Sequence, residues 1–399
     1  MAWKRQVAAG GIAVAAVLVA SPALAGLTWT VVPSPDPSAA SDQLNGVSAR
    51  TANDAWAVGS FTGPDADADG QQMLTARWDG TQWRQVTTPA VPHQDEVLNA
   101  VSASGANDAW AVGVTRVVSA AGRSPLAIHW NGTAWSIVSV PNSGGSSKSM
   151  FNGVATLSAS NAWAVGRGKD ARALVEHWDG TAWSVVPVPA PSAPAGSTLA
   201  GVSLSGVSAR SASDIWAVGS FSAVLNTNVL TKSLAMHYDG TSWKVVPTPS
   251  NQSSTVATAL NGVTALAAND VWSVGRLSTT NGTTLPNAMV IQHWNGTSWS
   301  SVTTPALQGG LTGVAARSAN DIWAVGAGID ASGTVPVNKT LTLHWDGSAW
   351  TRATSPNGSS GESLLNGVGA TPGGGDVWAV GFNVGGASSD KTLVLRNSP

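Results

Sequence analysis

The sequence predicts an all-β fold, a seven-bladed β-propeller with four antiparallel strands per blade, and three observations carry that prediction. A block typified by LNGVSARTANDAWAVG (44–59) recurs seven times. A second block typified by EHWDGTAW (176–183) follows most copies of the first. The two chain ends each hold part of one unit.

The first block yields two strands. Its copies begin at residues 44, 98, 151, 204, 260, 311 and 365, and the shared tryptophans Trp56, Trp110, Trp163, Trp216, Trp272, Trp323 and Trp378 lie 51 to 56 residues apart. Within each copy, β-prone runs such as LNGV and AWAVG flank an Asn/Asp/Ser turn. The second block yields a hairpin. Asp-Gly or Asn-Gly between β-prone runs favours a two-residue type I′ turn, because those residues tolerate the positive φ that both central positions need. Four short strands make one blade. The expected blades are 44–91, 98–143, 151–191, 204–250, 260–306, 311–357, and 365–399 completed by 27–35.

Closure of the ring is read from the chain ends. The seventh unit stops at TLVLRNSP (392–399), before its turn and fourth strand, while TWTVVPSP (28–35) matches the fourth-strand sequence AWSVVPVP (182–189). Trp29 therefore fills the slot of Trp183 and Trp243. The N-terminal strand is expected to complete the last blade and to cover an edge open to pairing with another chain.

Residues 1–25 read as a secretory signal peptide: Lys4 and Arg5 precede an apolar run over 7–20, and Ala23-Leu24-Ala25 offers a small-x-small cleavage site. The run is short for a bilayer span, so no membrane-spanning segment is expected. A mature chain of 26–399 without cysteine carries no disulfide, and the reading is of a bacterial secreted, extracellular protein. Removing Lys4 and Arg5 leaves 18 basic and 22 acidic side chains, a net charge of −4. Nucleic-acid binding relies on clustered Lys and Arg, which are sparse and scattered here.

Side chains that could carry chemistry fall mostly into repeat slots. All mature tryptophans occupy such slots and are expected to fill the core between blades, with stacking platforms for sugars as the alternative. Five histidines (His129, His177, His237, His293, His344) precede the third-strand aromatic, with Arg77 and Arg396 in the other blades. Equivalent positions on different blades are too far apart to share an ion at the roughly 2.0–2.2 Å of a metal bond. Each imidazole is expected instead to pair with the first-turn residue of its own blade: Asp108, Asn161, Asp214, Asp270 or Asp321. Ten of the 22 carboxylates lie in the two repeated turns, where Asp caps its own backbone.

One acidic segment departs from the repeat. Asp65, Asp67 and Asp69, with Gly70 and the Gln71 carbonyl, follow the first half of a calcium loop, whereas Met73 and Ala76 stand where the second half needs ligands. Calcium is the one cofactor the sequence raises. Strand direction places both repeated turns on one face of the disc and the variable connections on the other. Partner recognition is therefore expected on the variable face, at Asp65, Asp67, Asp69, Asp95 and Glu96, the last two in a loop over 90–97.

The tryptophan-rich repeats and the turn WDGTAW (178–183) resemble those of Asp-box (BNR, sialidase-like) and kelch-like propellers, although no residue separates Asp from Gly. The resemblance implies a rim position for the turn and no catalytic role for its Asp. A sialidase-like site needs a nucleophilic Tyr, and the single tyrosine, Tyr238, occupies a Trp slot. The sequence thus points to a non-catalytic, lectin-like recognition module for cell-surface or cell-wall glycans. The alternatives are a scaffold that binds a secreted or surface protein, and a glycoside-acting enzyme.

Overall fold

In the computed structural model, each repeat folds as a four-stranded antiparallel sheet, and seven such sheets form the ring. The residues described are 28–63, 70–91, 94–117, 122–141, 148–250, 256–279, 288–333, 336–358, 361–384 and 389–399. The proposed signal peptide and Asp65, Asp67 and Asp69 lie outside them. No helix among the described residues is long and apolar enough to cross a membrane.

Blade 1 shows the pattern, with strands Asp42–Thr51, Asp54–Thr62, Gln71–Trp78 and Trp83–Gln85 in sequential order. First strands of neighbouring blades touch one another around the ring and so lie innermost. The short fourth strand is outermost. In blade 7 that place belongs to Thr30–Val31, which pairs with Asp390–Asn397 as Thr30↔Arg396 and Val31↔Leu395. The chain ends therefore close the ring through one sheet, as the sequence match of 28–35 implies.

Two repeated residue types have purely geometric reasons. Each first strand carries a bulge, between Leu44 and Gly46 in blade 1, opposite the glycine that ends AWAVG. A Cβ on Gly59, Gly113, Gly166, Gly219, Gly275, Gly326 or Gly381 would lie only 1.9–2.0 Å from a first-strand carbonyl oxygen, so no other residue fits there. The Asn of LNGV ties the blades together. Asn45 Nδ2 donates to the Leu98 carbonyl at 2.9 Å, and Asn99, Asn152, Asn261 and Thr312 repeat the bond to the next blade. Asn366 donates to Leu44 O at 2.9 Å, which fastens blade 7 to blade 1.

The second turn differs from expectation. Trp78 pairs with Trp83 across a four-residue loop, Asp79 to Gln82, and Gly80 alone of its central pair has positive φ (97°). Asp79 Oδ1 accepts hydrogen bonds from Thr81 N, Thr81 Oγ1 and Gln82 N at 2.6–2.9 Å. That side-chain cap satisfies the Thr81 and Gln82 N–H groups of the loop, so only Gly80 needs a positive φ. Asn131 and Asn295 cap their turns in the same way.

Candidate functional site

The seam between blades is built from the aromatic slots. At the junction of blades 4 and 5, Trp216 is 1% exposed and has His237 stacked on it at 4.4 Å. Trp294 and Trp299 of blade 5 pack against it at 5.1 and 5.3 Å, the latter edge-on. All seven second-strand tryptophans are buried, with at most 4% exposure, and all seven fourth-strand tryptophans are buried too. Packing of this kind uses both the apolar area and the quadrupole of the indole.

Each seam is held at its polar end by the pair read from the sequence. Nε2 of His129, His237, His293 and His344 lies 2.7–3.0 Å from Oδ1 of Asp108, Asp214, Asp270 and Asp321. In blade 3 His177 meets Asn161 at 3.0 Å, and burial pushes its imidazole pKa down against the opposing pull of the Asp179 charge. Arg77 and Arg396 replace the imidazole, pairing with Asp54 at 2.9 Å and Asp376 at 2.7 Å and lying over Trp56 and Trp378. Burial works against ionised Asp108 and Asp321, yet hydrogen bonds from His129 and Ser104, and from His344 and Arg317, keep both carboxyls below the usual range. The pairs orient Trp rings.

Both repeated turns share one face. The third-strand indoles prove it, since Trp78 Nε1 donates to Ala52 O and Trp294 Nε1 to Ala268 O, each in the first turn of its own blade. Tyr238 takes the same slot, packs on Trp163 at 4.8 Å and donates its hydroxyl to Gly240 O.

On the opposite face the expected loop over 90–97 is corrected. The first strand of blade 2 begins early, at Gln94, and Asp95 and Glu96 pair with Arg116 and Thr115. Both carboxylates are buried, with 8% and 3% exposure. Asp95 Oδ1 accepts from Gln71 N at 3.3 Å, and Glu96 Oε1 accepts from Val91 N at 2.9 Å. Burial first, and the Asp95 charge second, push the Glu96 pKa up to about 7 against the pull of the Val91 N–H. These two residues thus anchor the neighbouring connections and do not present carboxylates to a partner. Gln71 stands in the third strand of blade 1, its Oε1 taking a bond from Ser60 Oγ. Among the described residues no group of three or more His, Asp or Glu side chains could hold a metal ion.

What the sequence did not point to lies at the outer rim. Trp178, Trp294 and Trp345 are only half-buried, whereas Trp78 and Trp130 are covered. Trp345 borders a groove of about 580 Å³ between blades 5 and 6. One wall is the connector 302–305; the other is the turn and fourth strand over 348–352. Thr303, Thr304, Ser348 and Thr351 bring hydroxyls to it, and Pro305 and Ala349 bring apolar surface. The signal was present as a length difference in the connectors, but exposure of one repeated Trp among several cannot be read from its slot.

The architecture defines a tryptophan-rich, seven-bladed β-propeller with four strands per blade. No protein-family model matches the sequence, and no curated protein does. Among solved structures, the chain is similar to YCF48 bound to a D1 peptide, at 16% identity and TM-score 0.53, covering 93% of this chain and 97% of that one. It is similar to the GH74 xyloglucanase of Xanthomonas campestris, at 13% identity and TM-score 0.53, over 88% of this chain and 53% of the enzyme. A PL25 ulvan lyase bound to a -[GlcA(1-4)Rha3S]- unit aligns at 9% identity and TM-score 0.53, over 89% and 94%. At these identities the likeness is one of fold, and the same fold carries both binding and catalysis.

Proposed function

We propose that the protein is exported and serves as a non-catalytic recognition module, lectin-like in binding glycans at the grooves between its blades. One observation carries the reading: Trp345, partly buried against Trp272 and Trp350, still lines a groove whose other walls are rich in Ser, Thr and small apolar residues. Sugar rings have an apolar C–H face and a hydroxyl-bearing rim, and a site of that composition answers both. The polar pairs of the seams are spent on holding Trp rings, which supports binding over catalysis. Export rests on the charged and apolar pattern of residues 1–25.

The test is a glycan array probed with residues 26–399, followed by the array-selected glycan against Trp345→Ala and Ala349→Gln. Ala349 is exposed in the groove, so its enlargement blocks the space without touching the seam. Both variants should lose binding, and Ala349→Gln should melt as the parent does. A second reading, a scaffold for a secreted protein, is favoured by Val31, Ile137 and Val185, which stand 44–54% exposed on outermost strands. A blank array together with a discrete protein captured from culture medium, and lost when those three residues are made Thr, would replace the first reading with the second.

A further inference from the structure

The groove beside Trp345 does not end at the turn face. A second cavity of about 370 Å³ opens toward the opposite face between the same two blades, and Arg352 lines both. Its walls continue the first groove: the connector supplies Leu307 and Gln308 after Pro305, and blade 6 supplies Lys339 and Asp330 beyond Arg352. Together the two form a track across the rim, with an indole at one end and a guanidinium in the middle.

Charge sets what the track can take. Arg352 is exposed on the fourth strand Trp350–Ala353 and forms no ion pair among the described residues. Lys339 Nζ donates to Gly361 O at 2.9 Å, and its charge also acts on the Asp330 carboxylate. The one carboxylate in the lining, Asp330, accepts from Ser332 N and feels the charges of both Lys339 and Arg352, so it offsets one of the two cations. Two cations against one carboxylate leave the track positive on a chain whose net charge is negative. A guanidinium matches a planar carboxylate or a sulfate oxygen pair through two parallel N–H bonds. The hydroxyls of Thr303, Thr304 and Thr351 can both donate and accept, as a carbohydrate chain requires, while Ser348 Oγ donates to Asp346.

We infer that this track binds a linear acidic polysaccharide, with a uronate or sulfate group on Arg352 and a neighbouring sugar ring against Trp345. The inference rests on the proposed glycan recognition and adds the charge and the linear form of the ligand. An extended acidic peptide would meet the same cation but has no ring to lay on the indole at each repeat.

Titration calorimetry on residues 26–399 at low salt, with an oligogalacturonate, its fully methyl-esterified form and a sulfated neutral oligosaccharide, tests it. The uronate or the sulfated probe should bind, and the ester should bind about tenfold more weakly, as loss of a charge-assisted bond predicts. Arg352→Gln should bring the acidic probe down to the affinity of the ester, and Arg352→Lys should restore part of the difference. Arg116→Gln, an exposed cation on the variable face, should change nothing. Whichever acidic probe depends on Arg352 identifies the anion. Equal binding of acid and ester, unaffected by Arg352→Gln but lost in Ala349→Gln, overturns the acidic inference and leaves glycan recognition standing. Poly-glutamate binding as tightly as the acidic glycan, with the same dependence on Arg352, overturns the choice of a polysaccharide. Failure of every charged and neutral glycan overturns both.

Discussion

Closure of the ring should fail when the N-terminal strand is weakened, and the structure sets the size of the effect. Trp29 is 5% exposed and meets Trp323 edge-on at 5.1 Å, inside a cluster with Val325, Leu365, Leu393 and Leu395. Trp29→Ala removes roughly 150–250 Å² of buried aromatic surface. At about 25 cal/mol per Å² that is about 4–6 kcal/mol, and partial collapse of the site brings it to the about 3–5 kcal/mol usual for buried Trp→Ala. Deleting residues 26–36 goes further. It also removes the Thr30 and Val31 pairing, the Val32 N to Val394 O bond and the Asp36 to Thr392 N bond. The eight-residue strand Asp390–Asn397 would then be an open edge. Calorimetry and light scattering on the chain from residue 26 should show a lowered, broadened melt for Trp29→Ala and oligomers for the deletion. A synthetic peptide of residues 26–36 should restore the monomer. If the truncated chain stays monomeric with an unchanged melt, the clasp contributes nothing and the argument is wrong.

Trp216→Ala should cost about 3–5 kcal/mol in chemical denaturation, because Trp216 has no exposed face from which to bind anything; a stable variant that had lost ligand binding would instead make the seam a recognition site. Glu96 holds its proton up to about pH 7 in the folded chain against an ordinary value of 4.5, so the folded state binds the extra proton and stability should fall as pH rises through that window. Glu96→Gln should flatten the melting temperature between those pH values, and an unchanged slope would show that burial does not control this carboxyl. Asp179 and Asp346 behave oppositely. Hydrogen bonds from Thr181 and Ser348, respectively, together with backbone N–H groups, lower both pKa values to about 2, so their turn caps should hold above the ordinary 3.8 and weaken as pH falls toward 2. Asp179→Asn with Asp346→Asn, copying the natural Asn131 and Asn295, should reduce the acid sensitivity of the melt; equal acid sensitivity would locate it elsewhere.

Several features of the seam were legible because they repeat. His129 with Asp108, and His177 with Asn161, could be paired on paper since both members recur at fixed offsets in one blade, and a β-sheet brings fixed offsets together. Asp95 and Glu96 were misplaced for the same reason: the first strand of blade 2 runs on into Gln94–Gly105, beyond the repeated block, and two adjacent carboxylates do not look like a strand. Their protection comes from the Gln71 and Val91 backbone N–H groups, supplied by segments that no local pattern links to them.

The sequence by itself determined the number of blades, the order of their strands and the use of both chain ends in one sheet, because each follows from periodicity within about fifty residues and from matching two incomplete units. Tertiary structure decided what lies across a seam. The ties from Asn45 to Leu98 and Asn366 to Leu44, the burial of Trp130 against the partial burial of Trp345, and the meeting of both cavities at Arg352 all depend on contacts between blades. Such contacts depend on how far each blade is offset from the next and on which connector fills the gap between them. Repeated residues are alike in sequence, and ring packing makes them unequal in exposure.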